Sequence, residues 1–377
     1  MKFRLQRQEF AEAVAWTARS IPTRLPVPVL AGLLLQARDG QLQLSGFDYE
    51  VSTRCDLDVQ LFEEGSAVVA GRLLAEITKA LPAKPVDVEL VGDSVELTCG
   101  GAQFTLPTLP LEDYPRLPPM PELAGTIKAA EFSTAVGRVT IAAGRDETLP
   151  MLTGVQVEMA GDRITMSATD RYRLAMTELA WQPERPDVEM SALIPAKALS
   201  DTARALGAAG GDVQLHLDPV ATDQSLVGLG SQSRQTTSRI MSGPYPNVRA
   251  IFPTSHNSRL TLATKDLTDV VHRIALVTDR GNPLRLQVNP DELVIEAGGL
   301  GSARAREATE AKLEGETLKI AINPQFMLDG LGAVGSPNVI LSFVSTHKPV
   351  MMLPADENGE VIPGFRYVVM SVRMPEG

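Results

Sequence analysis

Apolar residues recur at helical spacing at six places along the chain. Three of these stripes place apolar or small side chains at i, i+3, i+4 and i+7, which gathers them on one face of a helix. They are Phe10, Ala13, Val14 and Thr17; Phe132, Ala135, Val136 and Val139; and Leu267, Val270, Val271 and Ile274. With three further stripes, the pattern predicts helices over residues 8–19, 71–80, 130–142, 196–206, 265–277 and 325–335.

A predicted hairpin follows the first helix of each pair. Alternating apolar runs flank turn residues at Asp39-Gly40, Gly161-Asp162 and Asn289-Pro290-Asp291. Equivalent positions lie about 122 to 135 residues apart, close to a third of the 377 residues. Because chance periodicity would not keep this order three times, the sequence predicts an α+β chain of three repeated domains, 1–120, 121–255 and 256–377.

Composition narrows the class of protein. Hydrophobic residues make up 44% and charged residues 21%, which excludes disorder as the main state. The net charge of −11 argues against a protein that binds nucleic acid over its whole surface. It does not exclude a local basic strip. Two cysteines form no disulfide framework, and no apolar run suggests a signal peptide or a membrane span. We therefore expect a cytoplasmic protein that makes no membrane contact.

Catalytic and metal-binding patterns are missing from the sequence. The four histidines are scattered, neither cysteine has a partner at metal-ligand spacing, and no phosphate-binding glycine loop follows a strand. The glycine-rich segment 207–211 follows a predicted helix, so we interpret it as a helix stop. An acid–base cluster of Asp170 and its neighbours is weighed against a structural Asp–Arg pair at a strand end, and the pair is favoured. A non-catalytic binding protein or scaffold without cofactor or metal is predicted.

Several segments carry a family signature. They are Met1–Phe3, Arg24–Leu30, Phe104–Leu106 ahead of Tyr114-Pro115, Ala168–Ala175, Ile322–Pro324 and Tyr367–Met370. On these segments the sequence resembles the bacterial DNA polymerase III beta subunits, the sliding clamps, over essentially its whole length. The richness in alanine is typical of a high-GC bacterium, such as an actinobacterium.

The resemblance implies both a fold and a function. Each chain would hold three clamp domains, and two chains would close head-to-tail into a ring-shaped homodimer, with helices lining a central hole and antiparallel sheets outside. Such a ring is a processivity factor for DNA replication, because it encircles duplex DNA without sequence preference and tethers the polymerase. Few, dispersed cations suit sliding, since many fixed phosphate contacts would bind strongly.

The resemblance also implies residue roles for DNA and dimer contacts. The residues carried over as DNA contacts are Arg24, Arg72, Arg138, Arg145, Leu149, Pro150, Lys197 and Arg280. Those carried over as the dimer interface are Phe104 and Leu106 of one protomer and Leu276 and Val277 of its partner. From the residues alone, these last four would be interpreted as core, and Arg138 and Arg280 equally well as solvated surface charges.

A further site implied by the family is a hydrophobic cleft for short peptides of the DNA polymerase III alpha subunit and the clamp loader. Such a peptide needs apolar pockets for its anchors and a polar rim that fixes its register. The matching positions are Leu152, Thr169, Arg171, Tyr172, Arg173, Leu174, Pro246, Ile251, Asn323, Phe326, Val344, Met370, Ser371, Val372, Arg373 and Met374.

Several departures from the family pattern fall at this cleft. Ser371 stands where proline is usual and Met374 where leucine is usual, Val248 replaces a common aromatic residue, and Phe326 lacks a usual hydroxyl. Serine frees the backbone and methionine makes an anchor wall more adaptable. Two hypotheses remain beside each other: a housekeeping clamp with a drifted C-terminus, and a specialised copy retuned against a cleft-binding cyclic-peptide inhibitor, hence antibiotic resistance. An interaction scaffold that never encircles DNA also stays open.

Overall fold

The computed structural model describes residues 1–22, 27–218, 225–231, 233–278, 282–298 and 303–372. The chain divides into two compact units. Unit 1 comprises Met1–Ala130, Gln182–Arg185 and Asp201–Ile240, and unit 2 comprises Glu131–Trp181, Pro186–Ser200 and Met241–Gly377.

Helices form at each of the six predicted places. They are α1 (Arg7–Thr17), α2 (Gly71–Ala80), α3 (Ala129–Thr140), α4 (Ala196–Ala209), α5 (Thr264–Ala275) and α6 (Pro324–Val334). All four residues of the predicted stripe are buried in α1 and likewise in α5, so the 3.6-residue period is confirmed. One detail of α4 differs from the expectation, because Gly207 lies inside the helix. The chain leaves α4 at Gly210, whose φ of 74° suits a glycine that ends a helix.

The strands of unit 1 form one sheet. In chain order they are β1 (Lys2–Leu5), β2 (Gly32–Arg38), β3 (Gln41–Phe47), β4 (Val51–Asp58), β5 (Gln60–Glu63), β6 (Gly65–Ala70), β7 (Val86–Val91), β8 (Ser94–Cys99), β9 (Ala102–Leu109), β10 (Leu123–Lys128), β14 (Gln182–Pro183), β16 (Asp212–Leu217), β17 (Leu226–Ser231) and β18 (Arg234–Arg239). Their order across the sheet is β14-β10-β16-β17-β18-β4-β3-β2-β6-β9-β8-β7-β1-β5. The antiparallel pairing of β18 with β4 joins segments that are far apart in sequence.

Unit 2 contains two sheets. Its strands are β11 (Gly154–Ala160), β12 (Arg163–Thr169), β13 (Arg173–Ala180), β15 (Glu189–Pro195), β19 (Ser258–Ala263), β20 (Leu284–Val288), β21 (Glu292–Ala297), β22 (Ala305–Glu310), β23 (Lys312–Gly315), β24 (Leu318–Ile322), β25 (Asn338–Phe343), β26 (Val350–Ala355) and β27 (Phe365–Val369). The larger sheet runs β15-β11-β12-β13-β27-β26-β25-β19-β23, and the smaller one β22-β21-β20-β24.

The three predicted hairpins are confirmed as β2–β3, β11–β12 and β20–β21, all antiparallel. Several positions predicted for the peptide cleft, Thr169 and residues 171–174, lie at the next turn in unit 2, where β12 pairs with β13 and β13 pairs with the C-terminal β27. Sequence-distant residues meet there because a central strand has a neighbour on each side.

Candidate functional site

A tight turn after β12 holds two exposed side chains of the predicted cleft. The Asp170 carboxylate Oδ1 accepts hydrogen bonds from the backbone amides of Tyr172 and Arg173, both at 3.0 Å. Arg171 has a φ of 78°, a left-handed conformation that costs free energy for a residue other than glycine. The turn leaves Arg171 exposed and Tyr172 57% exposed. Both side chains are therefore available to a ligand.

Arg173 has the opposite environment, with only 7% of its side chain exposed. Its Nε donates to Asp170 Oδ2 at 3.0 Å, its Nη1 donates to Asp329 of α6, and its guanidinium lies 4.4 Å from the centroid of the Phe326 ring. Burial alone would lower the pKa of Arg173, but the hydrogen bond to Asp329 and neighbouring negative charge raise it. The structural Asp–Arg pair favoured from the sequence is confirmed. Arg173 therefore links the turn to α6 through its hydrogen bonds to Asp170 and Asp329.

An apolar cluster lies beside the turn. Its buried members are Leu174, Met176, Val248, Phe252 and Val368, with Tyr245, Ile251 and Met351 packed partly buried against them. Leu174 and Ile251 were predicted for the cleft, whereas Met176, Phe252 and Met351 were missed. The sequence carried a signal for Met176, since it lies two residues after Leu174 on the same face of β13.

The C-terminal segment closes the other side of the turn. The Met370 amide donates to the Tyr172 carbonyl, and the Val372 amide to the Ala321 carbonyl, both at 2.8 Å. Ser371 is half-buried and Val372 is 39% exposed. Arg373 and Met374 lie outside the described residues.

The remaining cleft positions serve in different ways. The Asn323 side chain caps α6 by accepting from the amides of Gln325 and Phe326, at 2.9 and 3.2 Å. Thr169 is buried, and its hydroxyl donates to the Arg173 carbonyl. The other positions lie on or near the surface: Leu152 and Val344 are half-buried and Pro246 is exposed. The packed cluster does not include Leu152 or Val344.

Most of the predicted DNA contacts within the described residues are exposed. Arg72 on α2, Arg145 and Pro150 in the loop after α3, and Lys197 on α4 are exposed, while Leu149 is half-buried. The Arg72 guanidinium donates to the Pro22 carbonyl at 3.0 Å, directly before residues 23–26. Arg24 and Arg280 lie outside the described residues.

Arg138 is engaged within the protein. Its Nε donates to the Ala333 carbonyl and its Nη2 to the Val334 carbonyl, both at 3.1 Å, at the C-terminal end of α6. Its guanidinium also lies 5.2 Å from the Phe365 ring centroid, and burial lowers its pKa. Its donors satisfy the last carbonyls of a helix, so Arg138 caps α6, and its contact with DNA stays a prediction.

Sequence reasoning missed a basic cavity in unit 1. Three arginines, Arg19, Arg204 and Arg234, line a cavity of about 630 Å³ beside Trp16. The Arg19 and Arg234 guanidinium groups lie 5.4 and 5.8 Å from the Trp16 ring centroid. Burial is the main reason that the pKa of Arg19 is lowered, and the positive charges of the other two arginines add to it. No pattern in the sequence predicts this cavity, because the three arginines lie on separate elements.

The four predicted dimer residues differ in exposure. Leu276 is 85% exposed, Phe104 is 37% exposed and Val277 is half-buried. Leu106 is 1% exposed and packs in the core of its own unit, although it lies two residues from Phe104, on the same face of β9. A role for Leu106 in the dimer interface stays a prediction.

No cluster of three or more metal-ligating side chains occurs among the described residues. No helix within the described part of the chain is long and apolar enough to cross a membrane.

Comparisons with known proteins identify the family. Models of the DNA polymerase III beta subunit match residues 1–118 (N-terminal domain), 126–247 (central domain) and 249–373 (C-terminal domain). The chain is 47% identical to the beta sliding clamp of Streptomyces coelicolor over 376 residues, covering 99% of this chain and all of the relative. It is 38% identical over 374 residues to the beta sliding clamp homolog GriR of Streptomyces muensis, covering 99% of each.

A solved structure agrees with these matches. The DNA polymerase III subunit beta of Pseudomonas aeruginosa, crystallised with griselimycin, superimposes with a TM-score of 0.90 at 26% identity, over 99% of this chain and all of the other. The predicted three-domain clamp fold and the non-catalytic role in DNA replication are thereby confirmed. The chain belongs to the DNA polymerase III beta subunit family, the bacterial sliding clamps.

Proposed function

We propose that two copies of this chain close into a ring around duplex DNA and tether the replicative polymerase through the cleft of unit 2. The observation that carries the tethering role is the apolar cluster around Leu174, Ile251 and Met351, which lies beside the exposed Tyr172 and Arg171. Apolar side chains next to a polar, conformationally fixed turn suit a short extended peptide, whose anchors need pockets and whose backbone needs register. Such a protein works on chromosomal DNA, so we expect it in the cytoplasm.

The DNA contacts we propose combine predicted and newly found arginines and lysines. Arg72, Arg145 and Lys197 are exposed, and Arg19, Arg204 and Arg234 add a basic cavity. Guanidinium groups bind phosphates through paired N–H donors, and phosphate contacts carry no sequence information. Dispersed contacts of this kind allow a ring to slide. Arg24 and Arg280 remain predictions from the family resemblance.

For ring closure we propose contact between Phe104 of one protomer and Leu276 of its partner, with Val277 beside it. A leucine that is 85% exposed is costly in water and gains free energy when a partner covers it. Leu106 would support Phe104 from within the core. The domain boundaries near residues 120 and 255 stay part of this proposal.

The experiment that tests the proposal is loading onto nicked circular DNA. A matched clamp loader and ATP are supplied, and the protein retained on the circle is measured before and after the circle is cut. Encirclement predicts retention on the circle and loss after linearisation. A folded dimer that is never retained would support the scaffold hypothesis and refute the ring.

The peptide role has its own test. Ile251→Asp places a charge in the apolar cluster, and we expect it to weaken a polymerase-derived peptide about tenfold or more. Ile362→Asp is the matched control, because Ile362 is 39% exposed and lies outside the cluster. Equal affinity in both variants would contradict the assigned cleft.

A second candidate function is a clamp retuned against a cyclic-peptide inhibitor. Two observations favour it: one relative is the homolog GriR, and a structural neighbour was crystallised with griselimycin. Val248 lies within the apolar cluster, and Phe326 stacks on Arg173. Both departures from the family pattern therefore touch the proposed peptide surface.

The retuned clamp predicts weaker griselimycin binding than the Streptomyces coelicolor clamp, with polymerase-peptide affinity retained. Restoring the family residues through Phe326→Tyr and Ser371→Pro should strengthen griselimycin binding. If the two clamps bind griselimycin equally, the housekeeping clamp is the better description.

A further inference from the structure

The turn that holds the cleft of unit 2 occurs a second time, in unit 1. Between β3 and β4, the Asp48 carboxylate Oδ1 accepts from the amides of Glu50 and Val51, at 2.9 and 2.6 Å. Asp170 makes the same pair of bonds between β12 and β13. The next residue is left-handed in both turns, with φ of 74° at Tyr49 and 78° at Arg171.

The neighbouring strand also repeats its contact with the turn. In unit 1 the Arg239 amide donates to the Glu50 carbonyl at 3.0 Å, and in unit 2 the Met370 amide donates to the Tyr172 carbonyl at 2.8 Å. A Tyr-Pro segment follows in each unit as well, Tyr114-Pro115 in the first and Tyr245-Pro246 in the second. The turn beside the proposed peptide cleft, with its strand contact, is thus present twice in one chain.

Unit 1 has a cavity at this repeated position. It has a volume of about 370 Å³ and is lined by Phe47, Tyr49, Pro118, Met120 and Leu226 among others. The Phe47 and Tyr49 rings pack edge to face, with centroids 5.6 Å apart, yet Tyr49 remains 45% exposed. Tyr49 thus places an exposed aromatic ring on a strained backbone, next to prolines that line the same cavity. An apolar group of a ligand could pack against this ring.

The charges around the two turns differ in sign. The cleft of unit 2 presents Arg171, whereas the cavity of unit 1 is bordered by Glu50 and Asp218. The Glu50 side chain is 68% exposed, and its carboxylate lies 3.7 Å from Arg239, which also donates to the Tyr49 carbonyl at 3.1 Å. Two carboxylates against one engaged guanidinium favour a basic ligand, since complementary charge selects partners.

We propose that this cavity is a second peptide-docking site, which takes an extended segment of a partner protein with an aromatic or aliphatic anchor beside a lysine or arginine. The anchor packs on Tyr49 and Phe47, and the basic residue faces Glu50 and Asp218. A clamp with two such sites of opposite charge holds two different partners without competition between them. This inference rests on the proposed function for the idea that the repeated architecture binds peptides.

A displayed library of random hexapeptides, selected on the full-length dimer, tests the site. Each selected peptide is then measured by fluorescence anisotropy on Tyr49→Gly, which removes the ring and keeps the turn because glycine adopts a positive φ freely. We expect one group of peptides with a basic residue beside an apolar anchor, weakened at least about tenfold by Tyr49→Gly. Arg171→Gly, the same change in the other turn, should leave that group unchanged.

Charge reversal gives an independent readout. Glu50→Lys should weaken the basic peptides and favour acidic ones. If every selected peptide is insensitive to Tyr49→Gly but sensitive to Ile251→Asp, the second site is refuted while the cleft of unit 2 stands. If no peptide is selected at either place, the proposed peptide function fails with it. A fall in sedimentation mass in Tyr49→Gly, without selected peptides, would identify a second copy of this chain as the occupant and refute a peptide site.

Discussion

Asp170→Asn tests how much the ion pair beneath the cleft turn stabilises unit 2. Asparagine keeps Oδ1 as the acceptor for the Tyr172 and Arg173 amides. In the native protein Asp170 Oδ2 accepts from Arg173 Nε at 3.0 Å, and asparagine replaces this oxygen by an NH₂ group, which is a donor facing a donor. Breaking a buried ion pair costs about 3–5 kcal/mol. Arg173 retains Asp329, so we expect about 2 kcal/mol of the free energy of unfolding to be lost.

Asp48→Asn is the matched control. The Asp48 turn makes the same two backbone bonds, but Val51 takes the place of Arg173, so the substitution removes no buried ion pair. We expect it to cost less than about 0.5 kcal/mol. The difference between the two variants isolates the ion pair from the turn.

The assay uses the two tryptophans, since Trp16 lies in unit 1 and Trp181 in unit 2. In a Trp16→Phe background, urea unfolding followed by Trp181 fluorescence measures the unit that contains Asp170; in a Trp181→Phe background, Trp16 reports the unit that contains Asp48. Equal losses of stability in Asp170→Asn and Asp48→Asn would refute the reasoning, because the buried guanidinium would then contribute nothing.

Three further outcomes are expected. Leu276→Asp should shift the dimer toward monomer in sedimentation velocity, whereas Val361→Asp, at a residue 41% exposed, should not. Arg204→Ala should reduce the slope of log affinity for duplex DNA against log salt by about one, and the exposed Arg163→Ala should leave it unchanged. Burial lowers the pKa of His216 below its ordinary value, so the folded form disfavours the charged ring. The stability that this neutral ring contributes is present above pH about 6.5 and is lost as the pH falls toward the folded pKa, and His216→Gln should abolish that part of the pH dependence in urea unfolding.

The local elements were predictable because their signals are local. The helical period alone predicts the buried stripe of Leu267, Val270, Val271 and Ile274. Each hairpin was indicated by turn residues between two runs of alternating apolar residues. The left-handed Arg171 was not predictable in the same way, because no glycine marks its position.

Contacts between segments that are far apart in the chain could not be predicted from the sequence. Arg138 caps α6 nearly two hundred residues away, and the partner of Arg173 on α6 is almost as distant. Such pairings depend on which strands become neighbours. A surface arginine and an internal cap look identical when only the sequence is visible, so the contacts of Arg138 with α6 were not predicted.

The pairing of β18 with β4 has a consequence for fragments of this protein. The N-terminal family domain ends at residue 118, but β4 is completed by a strand that begins at Arg234. A fragment cut at that boundary would leave residues 51–55 of β4 as an open edge, with a row of unsatisfied amides and carbonyls. Such an edge invites pairing with another copy and aggregation. We therefore expect that a fragment carrying the first domain needs residues 201–240 as well, because these residues complete the sheet.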